Sequence, residues 1–219
     1  MSIQIQGGTS GAVADVGAQN LAQRTEVRPL NVTDTTEGSY RMGAVFGASA
    51  AYGADAEILE FRNGGSQTIL LHEVTLGAGA IGTGFTAGLA YFKLFKLRTH
   101  TIISTSGTTV AMTSAMGSMR STHKLVPTAL AKVAATTALT IGSGATIDTN
   151  PHACIGPFSV GTGTQTAFVP AGTVLFSDSA TKTPIILAPN EGVCVSCIVP
   201  ATGVWGGAVQ LAWSEVAAY

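Results

Sequence analysis

The chain has 219 residues, of which 11% are charged and 27 are glycine, and its formal net charge is −1. A chain of this length buries a sizeable core without disulfide staples, and three cysteines give no even-numbered disulfide framework. The balanced charge and scattered basic residues exclude the clustered basic face that nucleic-acid binding calls for, and the scarcity of charge suits a surface largely covered by other subunits.

Residues 1–35 are polar, rich in Gly, Ala and Gln, and only weakly periodic. They are expected to form an extended arm with short strands at Ser2–Gln6 and Glu26–Asn31. Such a segment buries too little apolar surface to order itself, so it is expected to be either mobile or tied down on a neighbour. Ile3, Gln4, Ile5, Gln6, Val13 and Val16 are the candidate attachment residues, with strand addition to a neighbour's sheet edge as the route. The opening MSIQIQGGTSG has no basic stretch followed by an apolar run, so no secretory signal is expected.

Residues 36–219 read as one β-domain. SYRMGAVFGASA alternates, placing Tyr40, Met42, Ala44 and Phe46 on one face of a strand. AEILEFRN follows and ends in the turn Asn63–Gly65. In QTILLHEVTLGA, strict alternation puts Ile69, Leu71, Glu73 and Thr75 on one face, and Leu70, His72, Val74 and Leu76 on the other. FTAGLAYFKLFKLRTHT reads as a long strand on its aromatic and β-friendly content. GTTVAMTS, STHKLVP and TTALTIGSG read as short strands or loops, and ALAKVAA as a helical turn or two. AFVPAGTVLFS, TPIILAP, EGVCVSCIVP and WGGAVQLAWSEV are further strands, set off by Pro- and Gly-containing turns. About ten short strands with such turns predict an all-β fold, an antiparallel, jelly-roll-like β-sandwich. The charge-free stretch Thr149–Phe176 is broken by Pro151, Pro157 and Pro170, so no membrane span is expected.

The chemical motifs are weak. Cys194 and Cys197 have the C-x-x-C spacing, but three residues apart in a strand they point to opposite faces and cannot share a metal. Cys197 is expected in the core. GAGAIG at Gly77–Gly82 matches G-x-G-x-x-G. It lacks the following helix and the acid about 20 residues on, and reads as a Gly-rich loop. His72–Glu73 lacks the second histidine of H-E-x-x-H, and neighbours in a strand face opposite ways. No G-x-S-x-G elbow is present. Lys93, Lys96, Arg98 and His100 form a loose basic group, read as a solvated or interface face. No catalytic residue, cofactor or metal is expected.

The segments IQIQGGTSGAVADVGAQN, TILLHEVTLGAGAIGTGFTAGLAYFKLFKLR and PIILAPNEGVCVSCIVPATGVWGGAVQLAWSEV resemble a family of tailed-bacteriophage virion structural proteins. The resemblance runs over most of the chain and is strongest in residues 67–98 and 184–216. It departs after NEG, where VCVSC replaces an expected apolar or aromatic residue. It implies a non-enzymatic β-sandwich component of the virion, assembled in the host bacterial cytoplasm. A capsid decoration or cement protein is expected first, and a tail, collar or fibre-anchoring component is the alternative. The expected partners are copies of itself, with a trimer favoured, and other virion proteins such as the major capsid or tail proteins. From a different class, a carbohydrate-binding receptor-recognition module is the further alternative. For that role Trp205, in an expected turn, is the candidate sugar platform, whereas Trp213 reads as core.

Overall fold

The computed structural model describes residues 3–6, 13–16, 38–47, 55–80, 86–113, 125–161, 167–181, 183–200 and 202–217. The chain divides into two compact units, Met1–Leu30 and Asn31–Tyr219. In the first, β1 (Ile3–Gln6) pairs antiparallel with β2 (Val13–Val16), with Ile3 opposite Val16 and Gln6 opposite Val13. The strand expected at Glu26–Asn31 lies outside the described residues.

The second unit is an all-β antiparallel sandwich. Its first sheet is built from β3 (Gly38–Gly47), β14 (Trp205–Val216), β5 (Thr68–Ala80) and β11 (Val169–Ser177), in that order, with β12 (Ile185–Leu187) also along β5. The second sheet runs β10 (Ala153–Val160), β6 (Gly88–Arg98), β13 (Gly192–Ile198), β4 (Ala56–Asn63), β8 (Ala129–Val133) and β7 (Thr108–Val110), with β9 (Thr146–Ile147) beside β6. A single turn of helix, α1 (Asp178–Thr181), follows β11. The chain alternates sheets from β3 to β6 and again from β10 through β11, β13 and β14. This gives the order β3-β14-β5-β11 facing β4-β13-β6-β10, the two-sheet, eight-strand arrangement of a jelly roll. Among the described residues no helix is long and apolar enough to cross a membrane.

The core forms because inward residues alternate along the long strands, with the alternation reset at bulges. Tyr40, Met42 and Phe46 from β3, and Val209, Leu211 and Trp213 from β14, face Phe61, Phe92, Leu94, Val193 and Val195 of the second sheet. Trp213 stacks on Tyr40 with ring centroids 5.6 Å apart and meets Phe61 edge-on at 5.2 Å. Trp205 meets Phe46 at 5.4 Å and Phe92 at 6.1 Å. Trp205 is therefore no exposed sugar platform: it opens β14 and is fully buried.

Three local expectations are corrected. Strict alternation in β5 fails because Ala212 of β14 pairs with Glu73 and Trp213 with Leu71, leaving His72 as the extra residue of a bulge. The inward set is thus Ile69 and Leu71, then Val74 and Leu76. Second, ALAKVAA is no helical segment but β8, paired with β4 and β7. Ala129, Ala131 and Val133 point into the core, and this burial overrides the weak helical preference of Ala, Leu and Lys. Third, Gly77–Ala80 belong to β5 rather than to a loop. A Cβ on the facing Gly207 would collide with the Gly77 carbonyl and stand 2.7 Å from Phe46 Cζ, so the glycines permit a close approach over an aromatic ring. The Pro-containing stretch 153–160, for which the sequence predicted no element, forms edge strand β10, with Gly156 and Pro157 in a break of register against β6.

One buried carboxylate joins the two sheets. Glu215, on β14, accepts hydrogen bonds from Thr128 N (2.9 and 3.0 Å to its two oxygens), Thr128 Oγ1 (2.9 Å), Ala129 N (3.1 Å) and Trp213 Nε1 (3.3 Å). Thr128 and Ala129 begin β8 of the opposite sheet. Burial, followed by the Glu215 charge, pushes the Tyr40 phenol up to about 12. At the same end, Asn63, paired with Ala129, closes the β4–β5 turn: its Nδ2 donates to Gln67 O (2.7 Å) and Leu187 O (3.0 Å), and its Oδ1 accepts from Gly65 N. Replacing Glu215 by alanine strands two buried donors, Ala129 N and Trp213 Nε1, at about 1–3 kcal/mol each. Urea denaturation should show Glu215→Ala losing at least about 2 kcal/mol of stability. A loss below about 1 kcal/mol would show that the sheets do not depend on this carboxylate.

Candidate functional site

The residue pairings place a polar strip on the outer face of the first sheet. Successive rows across β3, β14 and β5 read Ser39–Ser214–Leu70, Arg41–Ala212–Glu73, Gly43–Gln210–Thr75 and Val45–Ala208–Gly77. At the polar end, His72 Nδ1 lies 2.6 Å from Asp178 Oδ2, His72 Nε2 lies 3.0 Å from Ser214 Oγ, and Ser214 Oγ lies 3.0 Å from Ser39 Oγ. The bulge builds this chain. With His72 as an extra residue, both His72 and Glu73 reach the outer face, correcting the expectation that these neighbours face opposite ways. Asp178 arrives at the start of α1, directly after β11 pairs Ser177 with Glu73.

With a neutral imidazole, the carboxylate of Asp178 accepts from Nδ1–H. Nε2 then accepts from the Ser214 hydroxyl, which in turn accepts from Ser39. This is the hydrogen-bond order of a serine hydrolase triad. Two requirements of acyl transfer are missing. Ser214 is only 3% exposed. It also lies within the ladder of β14, paired with Ser39 and Leu70 on either side, so its backbone offers no converging donors for a developing oxyanion. What the chain does accomplish is mechanical: it ties the edge strand β3, β14, the β5 bulge and α1 together.

A second polar cluster lies on the outer side of the second sheet. Glu60, fully buried, contacts His100 Nε2 and accepts from Ser104 N (3.0 Å) and Gly142 N (3.3 Å). Arg62 donates through Nε to His100 O and through Nη2 to Asn190 Oδ1 at 2.6 Å. Among the described residues His100 Nδ1 has no hydrogen-bond partner, and it abuts Gly192, where an added Cβ would stand 2.7 Å away. This arrangement tethers the loops around 100–106 and 140–144 to β4. Among the described residues no group of three or more His, Cys, Asp and Glu side chains is placed to hold a metal ion.

In the basic group, Lys93, Lys96 and Arg98 are each neutralised by an acid, and His100 has a carboxylate contact. Lys93 pairs with Asp55 at 2.6 Å, Lys96 with Glu191 at 2.9 Å, Arg98 with Asp148 at 2.7 Å, and His100 with Glu60. The hydrogen bond from Arg98 holds Asp148 below the usual carboxylate range. Cys197 packs in the core, whereas Cys194 lies on the other face, opposite Phe95 and Glu60. Burial, then the nearby Glu57 charge, pushes both thiols well up. Cys154 is exposed on β10. The six candidate attachment residues, Ile3, Gln4, Ile5, Gln6, Val13 and Val16, come together in the β1–β2 pair.

An active-site serine probe tests the reading of Ser214. Wild-type protein and Ser214→Ala should incorporate a fluorophosphonate equally, at background level. Labelling that depends on Ser214 would make the chain a working triad. Family models, curated proteins and solved structures offer no match to this chain, so its own geometry carries the functional assignment.

Proposed function

We propose that this protein is a non-enzymatic structural component of a bacteriophage particle, a capsid decoration or cement protein that acts by self-association and by attachment through its N-terminal unit. The observation that carries the reading is the pairing of a jelly-roll sandwich with a separate two-stranded unit. Jelly rolls serve capsid proteins among other functions, and fold alone does not fix function. The resemblance of the sequence to virion structural proteins adds the particle context. A ribbon of two four-residue strands is marginal by itself. It gains order when a sheet edge on a partner extends it, with backbone hydrogen bonds supplying affinity. The one-to-one neutralisation of the β6 cations leaves little net charge to oppose close packing of copies. A closed ring of three copies is the assembly favoured here.

Deleting residues 1–30 separates attachment from folding. The truncated chain should keep the circular dichroism spectrum of the sandwich and fail to enter particles when it is the sole source of the protein. Incorporation at the wild-type level would remove the N-terminal unit from the attachment mechanism.

A further inference from the structure

Beside the Ser–His–Asp chain, the outer face of the first sheet holds a depression of about 250 Å³. It is lined by Arg41, Glu73, Thr75, Gly172, Gln210 and Ala212 together with Leu211. We propose that this depression is a carbohydrate-binding site that takes the vicinal hydroxyls of a pyranose ring, a role independent of the assembly function above.

The register explains why it is open. Ala212 lies between Arg41 and Glu73, so a methyl group separates a guanidinium from a carboxylate. Their closest approach, Arg41 Nη2 to Glu73 Oε2, is 3.7 Å, an ion pair without a hydrogen bond. In the next row Gly43 offers no side chain beside Gln210, and Thr75 forms part of the floor. Gly172, at φ +79°, has nothing within 4 Å of its Cβ position and leaves the β11 side clear.

The donors and acceptors match a diol. A guanidinium offers paired N–H donors, a carboxylate offers paired acceptors, and the Gln210 amide offers one of each. Each hydroxyl of a vicinal diol both donates and accepts, so two neighbouring hydroxyls satisfy a donor pair on one side and an acceptor pair on the other. Other ligand classes fit less well. Glu73 opposes an anion, Arg41 opposes a cation, and one carboxylate is too few ligands for a metal ion. The lining is too polar for an apolar ligand. Among the described residues no aromatic ring lines the depression, so the affinity of one site is weak, on the order of millimolar. Repetition of the site on a symmetric assembly raises avidity by about 10²–10⁴ when the sites engage together.

The test uses ¹⁵N-labelled full-length protein titrated with the methyl glycosides of mannose, galactose, glucose and N-acetylglucosamine. Glycine and inorganic phosphate serve as the zwitterion and anion controls. The expected result is saturable shifts of the Arg41, Glu73, Gln210 and Ala212 amides with at least one glycoside. Gln210→Ala and Glu73→Ala should weaken that binding at least fivefold while leaving the remaining spectrum in place. A Val45→Ala variant, outside the depression, should bind as the wild type does. The proposal is overturned if no glycoside shifts these amides at tens of millimolar. Shifts that cluster elsewhere, that survive both variants, or that glycine or phosphate produces more strongly would also overturn it.

Discussion

Glu215 sets the register on which the rest of the sandwich depends. β14 is an interior strand of the first sheet, paired along its length with β3 and β5. Burial of Trp213 and Leu211 forbids a one-residue slip in that ladder but not a slip of two. The buried carboxylate forbids the slip of two, because it must meet the amides of Thr128 and Ala129 at the start of β8 in the opposite sheet. A one-residue slip would turn Trp213 and Leu211 to solvent and bring Ser214 and Ala212 into the core. The composition of the outer face therefore follows from an interaction inside the molecule.

The two faces use their polar groups differently. On the second sheet, Glu60 gathers loop amides and an imidazole in a fully buried cluster, and each lysine or arginine of β6 has its own acid. On the first sheet, Ser39, Ser214, His72 and Asp178 form one connected chain, while Arg41, Glu73 and Gln210 surround an open depression. The first arrangement rigidifies the scaffold, and the second leaves hydrogen-bonding capacity facing outward. A rigid sandwich with little net charge is suited to close packing within an assembly.

Much of the fold was legible because alternation is a local property. Tyr40, Met42 and Phe46 announced the inward face of β3, the aromatic run announced β6, and the divergence of Cys194 and Cys197 followed from the strand period alone. What escaped was non-local. The bulge at His72 exists only relative to the register of β14, so the sequence of β5 carries no local mark of it. Ser214 and His72 are 142 positions apart, and Asp178 and His72 are 106 apart, so no spacing motif could reveal their meeting. β8 misled through its composition, because Ala, Leu and Lys favour a helix until neighbours on both sides supply a ladder. Trp205 misled through its flanking glycines, which here bring backbones close over Phe46 rather than form an exposed turn.

The central claim is that this chain is built into a particle. Quantitative mass spectrometry of purified particles from an infected host tests it most directly. The account predicts that the protein copurifies with particles through density-gradient centrifugation, at a fixed, high copy number in integral proportion to the major capsid protein. A fixed but low copy number would move it to a tail or vertex position. Its absence from particles, with the protein remaining in the soluble lysate, would contradict the account.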